Sequence, residues 1–124
     1  MRPIRGSRLV QPFSRAMVSV YTGCNIENAS YGLTICAERV ALFNAVASGA
    51  AEITALAVYS NSSKPASPCG ACRQVAHELA RGIPIVMASV TGQTVTAHED
   101  ELLHLGFEAS DLASAQHRAD HTGK

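Results

Sequence analysis

Cys36-Ala37-Glu38-Arg39-Val40-Ala41-Leu42-Phe43-Asn44-Ala45-Val46-Ala47-Ser48-Gly49 decides the reading of this chain, together with Pro68-Cys69-Gly70-Ala71-Cys72 further on. Cys36, Cys69 and Cys72 can offer three thiolates to one metal ion. Zinc with three protein ligands keeps an open position for chemistry, whereas a closed structural site takes four. Glu38 lies just beyond Cys36, within reach of whatever fills that position. After Cys36 the pattern is helical, with Val40, Phe43 and Ala47 recurring at three- and four-residue steps and Gly49 placed as a C-cap glycine.

Working outward, Val18-Ser19-Val20-Tyr21 reads as a short strand ending near Gly23, and Ile53 to Ser60 as a mostly buried one. A polar loop, Asn61 to Ser67, follows. Ser67 is placed to cap a second helix with Pro68 at its first position, running to about Arg81 with Val75 and Leu79 inward and Gly82 closing it. Ile85 to Val90 is another buried strand. Thr91-Gly92-Gln93 turns it toward a short strand at Thr94–Ala97, and Glu99 to Leu103 begins a final helical stretch. Alternating strands and helices predict an α/β layered domain over residues 16–113. Residues 114–124 read as a polar tail. Residues 1–15 read as a basic, poorly structured segment, since Arg2, Arg5, Arg8 and Arg15 precede the first acid, Glu27. A solvated tail fits that composition better than a transit peptide.

The 124 residues suit one domain, and a hydrophobic content of 47% suits a folded core. Ten basic and ten acidic side chains cancel, so no global field invites nucleic acid or an anionic membrane. With three Tyr, three Phe and no Trp, there is no stacking platform for a polynucleotide either. No apolar run approaches a bilayer span, and no secretory segment is recognisable. The four cysteines therefore read as thiols of a reduced cytoplasm, three of them metal-bound, rather than as a disulfide framework.

A Cys-x-Glu followed by Pro-Cys-x-x-Cys is the spacing of zinc deaminases. Attack on an amidine carbon needs hydroxide at neutral pH and a proton for departing ammonia. Zinc supplies the first by bringing the ionisation of water to about pH 7, and a carboxyl beside it carries the protons. Glu38 fits that role. Cys36, Cys69 and Cys72 fall at expected helix starts, where the dipole and free N–H groups favour thiolate. Arg39 is placed to donate hydrogen bonds to a ligand sulfur and offset the excess negative charge. The rival reading is a structural zinc with Cys24 as fourth ligand, Cys24 being otherwise an ordinary buried thiol. His77, His98, His104, His117 and His121 show no ligand spacing with the cysteines and read as surface or satisfied core histidines.

In combination these residues resemble one family, the small cytidine deaminases. Gly23-Cys24-Asn25-Ile26-Glu27-Asn28-Ala29 resembles the family's nucleoside-binding segment. Cys36-Ala37-Glu38-Arg39 and Ser67-Pro68-Cys69-Gly70-Ala71-Cys72-Arg73-Gln74 resemble its two metal helices, and Glu101-Leu102-Leu103 with Phe107 its C-terminal segment. The resemblance implies a three-layer fold with a mixed β-sheet flanked by helices. It also implies one Zn2+ per chain and conversion of cytidine and deoxycytidine to uridine and deoxyuridine in pyrimidine salvage, by a cytoplasmic homotetramer with shared active sites. On that implication Asn25 and Glu27 hold a ribose hydroxyl and Ala37 offers backbone groups to the pyrimidine edge. Ala29 and Tyr31 reach in from one neighbouring subunit and Phe107 packs on the base from another.

The sequence departs from the family pattern in two places. Pro12-Phe13-Ser14-Arg15 is similar to a family segment, but the Phe-x-Val-Gly-Ala that normally follows is absent, so the N-terminal region reads as shortened. An aromatic that walls the sugar is lost with it, which implies a roomier pocket that accepts bulkier cytidines unless Phe13 replaces the wall. His104 stands where the family has proline. Two further readings share the metal motifs: deamination of a blasticidin-type cytosine nucleoside, and a catalytically impaired zinc-stabilised assembly protein. The Asn25-x-Glu27 pair favours an ordinary nucleoside over the first, and Glu38 argues against the second.

Overall fold

In the computed structural model, residues 5–10 and 19–113 are described. Five strands form one mixed sheet: β1 Arg5–Val10, β2 Val20–Cys24, β3 Ala55–Ser60, β4 Pro84–Ser89 and β5 Thr94–His98, in the order β2-β1-β3-β4-β5. Only β3 and β4 run parallel, and the remaining neighbours are antiparallel. The parallel pair needs a crossover, which α2 (Gly70–Leu79) provides. The other helices are α1 (Ala37–Ala47) and the single turn α3 (Glu99–Leu102). The fold is α/β, a mixed sheet flanked by helices.

β1 corrects the sequence reading. Arg5–Val10, expected within a basic tail, is an interior strand paired with β2 from Gly6↔Cys24 to Val10↔Val20 and with β3 from Arg5↔Ser60 to Val10↔Ala55. Two ladders supply every backbone partner that the segment's own pattern fails to advertise. The first strand is thus present despite the missing motif, while Pro12-Phe13-Ser14-Arg15 and the tail at 114–124 lie outside the described residues.

Leu56 and Val58 of β3 and Ile85 and Met87 of β4 alternate onto one sheet face, where Ala41, Leu42 and Ala45 of α1 and Ala76 of α2 cover them. Full burial of a side chain such as Leu42 or Leu56 contributes about 1.5–3 kcal/mol. Val75 and Leu79 pack on this core as expected. On α1 the expected stripe is wrong: Phe43 and Ala47 are exposed, and the buried stripe is Ala37, Glu38, Ala41, Leu42 and Ala45. An almost wholly apolar helix has two faces that satisfy the periodicity, and contact with the sheet selects between them. α1 ends as a glycine cap should, with Gly49 at φ 80° and the Gly49 and Ala50 amides donating to Val46 and Ala45.

The closest approach in the fold is β2 against α1. A Cβ added at Gly23 would lie 2.4 Å from the Ala41 nitrogen and 2.5 Å from the Ala37 oxygen. Backbone meets backbone there, and this sets the height of α1 above the sheet. At the far end of α2, buried Glu99 joins two elements. Its Oε1 lies 2.9 Å from His77 Nδ1, and its Oε2 accepts the Gly82 amide at 3.0 Å.

Candidate active site

Both metal helices present their N-termini to one point. Cys36 is the N-cap of α1 and Cys69 that of α2, with Cys72 in the first turn of α2. Ser67 and Pro68 were expected to start α2; instead the chain stays extended through Cys69, and the buried Pro68 carbonyl accepts Arg73 Nε at 2.8 Å. Arg73 also donates to Ser67 Oγ at 2.7 Å and to the Leu102 carbonyl at 2.6 Å, which fixes the approach to Cys69.

The three sulfurs lie within 4.8 Å of one another, Cys36 Sγ to Cys69 Sγ at 3.8 Å and Cys69 Sγ to Cys72 Sγ at 3.5 Å. Tetrahedral zinc with Zn–S of about 2.3 Å places its sulfurs about 3.8 Å apart, so the donor set fits that ion in number, softness and spacing. No disulfide is formed, and Cys24, offered above as a fourth ligand or a buried thiol, is exposed and outside the cluster.

Glu38 is fully buried, and its charge reaches Cys72. Burial first, and then the Glu38 carboxylate, push the Cys72 thiol well up. Burial also works against ionisation at Cys69, but the Cys72 and Ala71 amides and the neighbouring thiols outweigh it and leave that thiol lowered. The helix-end argument for thiolate thus holds at Cys69 and is overridden at Cys72. Arg39 is held further toward its charged form by hydrogen bonding to Cys36 first, against burial, and then by bonding and charge at Cys72. Its Nε is buried and makes no hydrogen bond to the described residues.

Asn25 is half-buried beside the cluster, and its Oδ1 accepts the Ala37 amide at 2.8 Å. This modifies the expectation for Ala37, whose N–H is already engaged: an orphan amide in the first turn takes a cap from another element. Glu27, Ala29, Tyr31 and Phe107 are all exposed on the single chain, Tyr31 at 82% and Phe107 at 55%. Ala29 and Tyr31 ride on a loop closed by two hydrogen bonds between Ile26 and Ile35.

Sequence reasoning gave no role to Arg73, Gln74, His77 or Glu99. The first two stand inside the quoted motif, but their partners, Leu102 and Phe107, are distant in sequence. Buried Glu99 leaves no signal in a local pattern that reads as a polar helix start. An open depression of about 620 Å³ bordered by His77, His104 and Glu108 includes neither the thiols nor Glu38.

A mixed sheet with three thiols at two helix N-termini and a buried carboxyl beside them defines a zinc-binding deaminase domain. Residues 13–89 match the model of the cytidine and deoxycytidylate deaminase zinc-binding region. The cytidine deaminase of Sporosarcina psychrophila is 43% identical over 98 residues, which span 78% of this chain and 72% of that one. That of Halalkalibacterium halodurans is 42% identical over 111 residues, 82% of this chain and 84% of the relative. The crystal structure of cytidine deaminase from Burkholderia pseudomallei superposes with a TM-score of 0.77 at 40% identity, covering 85% of this chain and 82% of the other. The chain belongs to the cytidine deaminase family, and it is an enzyme of that class. Among the described residues, no helix is long and apolar enough to cross a membrane.

Proposed function

We propose that the chain hydrolyses cytidine and deoxycytidine to uridine and deoxyuridine plus ammonia, with one zinc per chain held by Cys36, Cys69 and Cys72. The observation that carries this reading is the triad of sulfurs within 4.8 Å beside a fully buried Glu38. When bound, zinc supplies Lewis acidity that brings the ionisation of water into the neutral range. Glu38 takes a proton from the attacking water and passes it to the ring nitrogen as oxygen adds to the amidine carbon. It then takes the new hydroxyl proton and delivers it to the amine, which leaves as ammonia. One carboxyl serves every transfer, and burial keeps it from exchanging protons with bulk water. Arg39 offsets the charge of the thiolates through its contacts with Cys36 and Cys72.

Asn25 and Glu27 read the sugar. With Oδ1 spent on Ala37, Asn25 offers its Nδ2 to a ribose hydroxyl, and Glu27 accepts from one. Recognition of a hydroxyl discriminates strongly, because a substrate lacking it leaves buried groups unpaired. Ala29, Tyr31 and Phe107 complete a neighbour's pocket in a homotetramer. Their exposure supports this, as does the apolar surface of Ile26, Leu33, Phe43 and Val46 around them and on the outer face of α1. The activity places the enzyme in pyrimidine salvage, and a pocket without the family's usual aromatic wall admits N4-substituted cytidines. The test is Glu38→Gln: zinc content stays at the parental level and turnover falls at least about 10²-fold. A variant that keeps a third of the parental rate would show Glu38 to be a bystander.

A further inference from the structure

The segment that carries Phe107 is held by α2 rather than by the core. After α3 the chain turns through Leu103–Gly106, with Leu105 89% exposed and at φ 52°, a left-handed conformation that L residues rarely adopt. The open depression bordered by His77, Leu103 and Gly106 lies against this turn, so close packing does not fix it. Side chains of α2 do. Gln74 Nε2 donates to the Phe107 carbonyl at 2.9 Å, and Gln74 Oε1 accepts the Phe107 amide at 3.2 Å. Farther along, Arg81 Nη1 lies 3.2 Å from Glu108, and His77 Nε2 lies 3.6 Å from the same carboxylate. Those contacts grip a half-exposed side chain, which restrains the backbone weakly. Gln74 alone grips the backbone of Phe107 itself, at both its N–H and its C=O.

A primary amide is suited to this task, since it donates and accepts at once from one planar group. Gln74 also follows Cys72 closely on α2, so one helix carries two of the metal thiols and the fastening of Phe107. We propose that Gln74 is a positioning residue: it sets the pose of the Phe107 ring relative to the metal end of α2, and through that ring the affinity for the substrate's aromatic base. This rests on the reading that Phe107 packs against a bound base.

The experiment uses the full zinc-loaded chain and the variant Gln74→Glu, which keeps the acceptor, loses the donor and sets a carboxylate against the Phe107 carbonyl. Gln74→Met, of the same length with neither group, is the second variant should the first fold poorly. KM for cytidine should rise about tenfold, the cost of one unpaired hydrogen bond, with kcat within about twofold. Zinc content should hold, and chymotryptic cleavage after Phe107 should accelerate. Combining the variant with Phe107→Ala should cost little beyond Phe107→Ala alone. A fall in kcat with loss of zinc, or additive losses in the double variant, would overturn the proposal. An unchanged KM in Phe107→Ala would also overturn it, while leaving the deaminase reading intact. A zinc-loaded parent without turnover would remove both.

Discussion

Asn25 has two duties on two different parts of one side chain. Its Oδ1 closes the first turn of α1 at Ala37, next to Cys36 and Glu38, while Nδ2 faces the sugar in the reading given above. Asn25→Ala should therefore cost about 0.5–2 kcal/mol of stability, as the loss of a helix cap does, and weaken zinc binding as well as turnover. Asn25→Asp keeps the acceptor and should retain zinc while losing kcat/KM. Zinc analysis beside steady-state kinetics separates the two, and equal zinc retention in both variants would contradict the capping role. Cys72 gives a second prediction at this scale. Because burial and Glu38 hold its thiol up, the metal-free protein keeps that proton at neutral pH, and zinc must expel it. Zinc affinity should rise between about pH 6 and about pH 8, with proton release measurable by calorimetry in buffers of different ionisation enthalpy. An affinity flat across that range would sink the argument.

At the scale of elements, the approach of β2 to α1 is the tightest constraint. Gly23→Ala puts a methyl into the α1 backbone, which cannot yield as a flexible side chain would. The variant should lose about 1–3 kcal/mol or more in denaturant unfolding, and part of its zinc, because α1 carries Cys36. A wild-type midpoint and full zinc would show that α1 has room to lift. The metal helices were legible in the sequence because metal chemistry and helix geometry act over a few residues: Cys36, Glu38, Cys69 and Cys72 announce themselves by spacing. β1 was illegible for the opposite reason. Arg5-Gly6-Ser7-Arg8-Leu9-Val10 shows no alternation, and its strand state depends on β2 and β3, which lie far along the chain. The inward face of α1 was misread because Phe43 and Val46 make its outer face as apolar as its inner one. Gln74 and Glu99 escaped notice because their hydrogen bonds span 33 and 22 residues.

At the scale of the molecule, the exposed apolar groups that misled the helix reading point to a surface that another copy covers. If Tyr31 and Phe107 complete a neighbour's pocket, activity should track assembly, and light scattering on active protein should give a tetramer. A fully active monomer would contradict the shared site. The most direct test of the central claim is the ultraviolet absorbance of cytidine mixed with zinc-replete protein, run beside Glu38→Gln at equal zinc content. The parent should lower the absorbance as uridine forms, with the variant slower by at least about 10²-fold. No change with the parent, or matching rates in both proteins, would contradict the assignment of this thiol triad and its buried carboxyl to deamination.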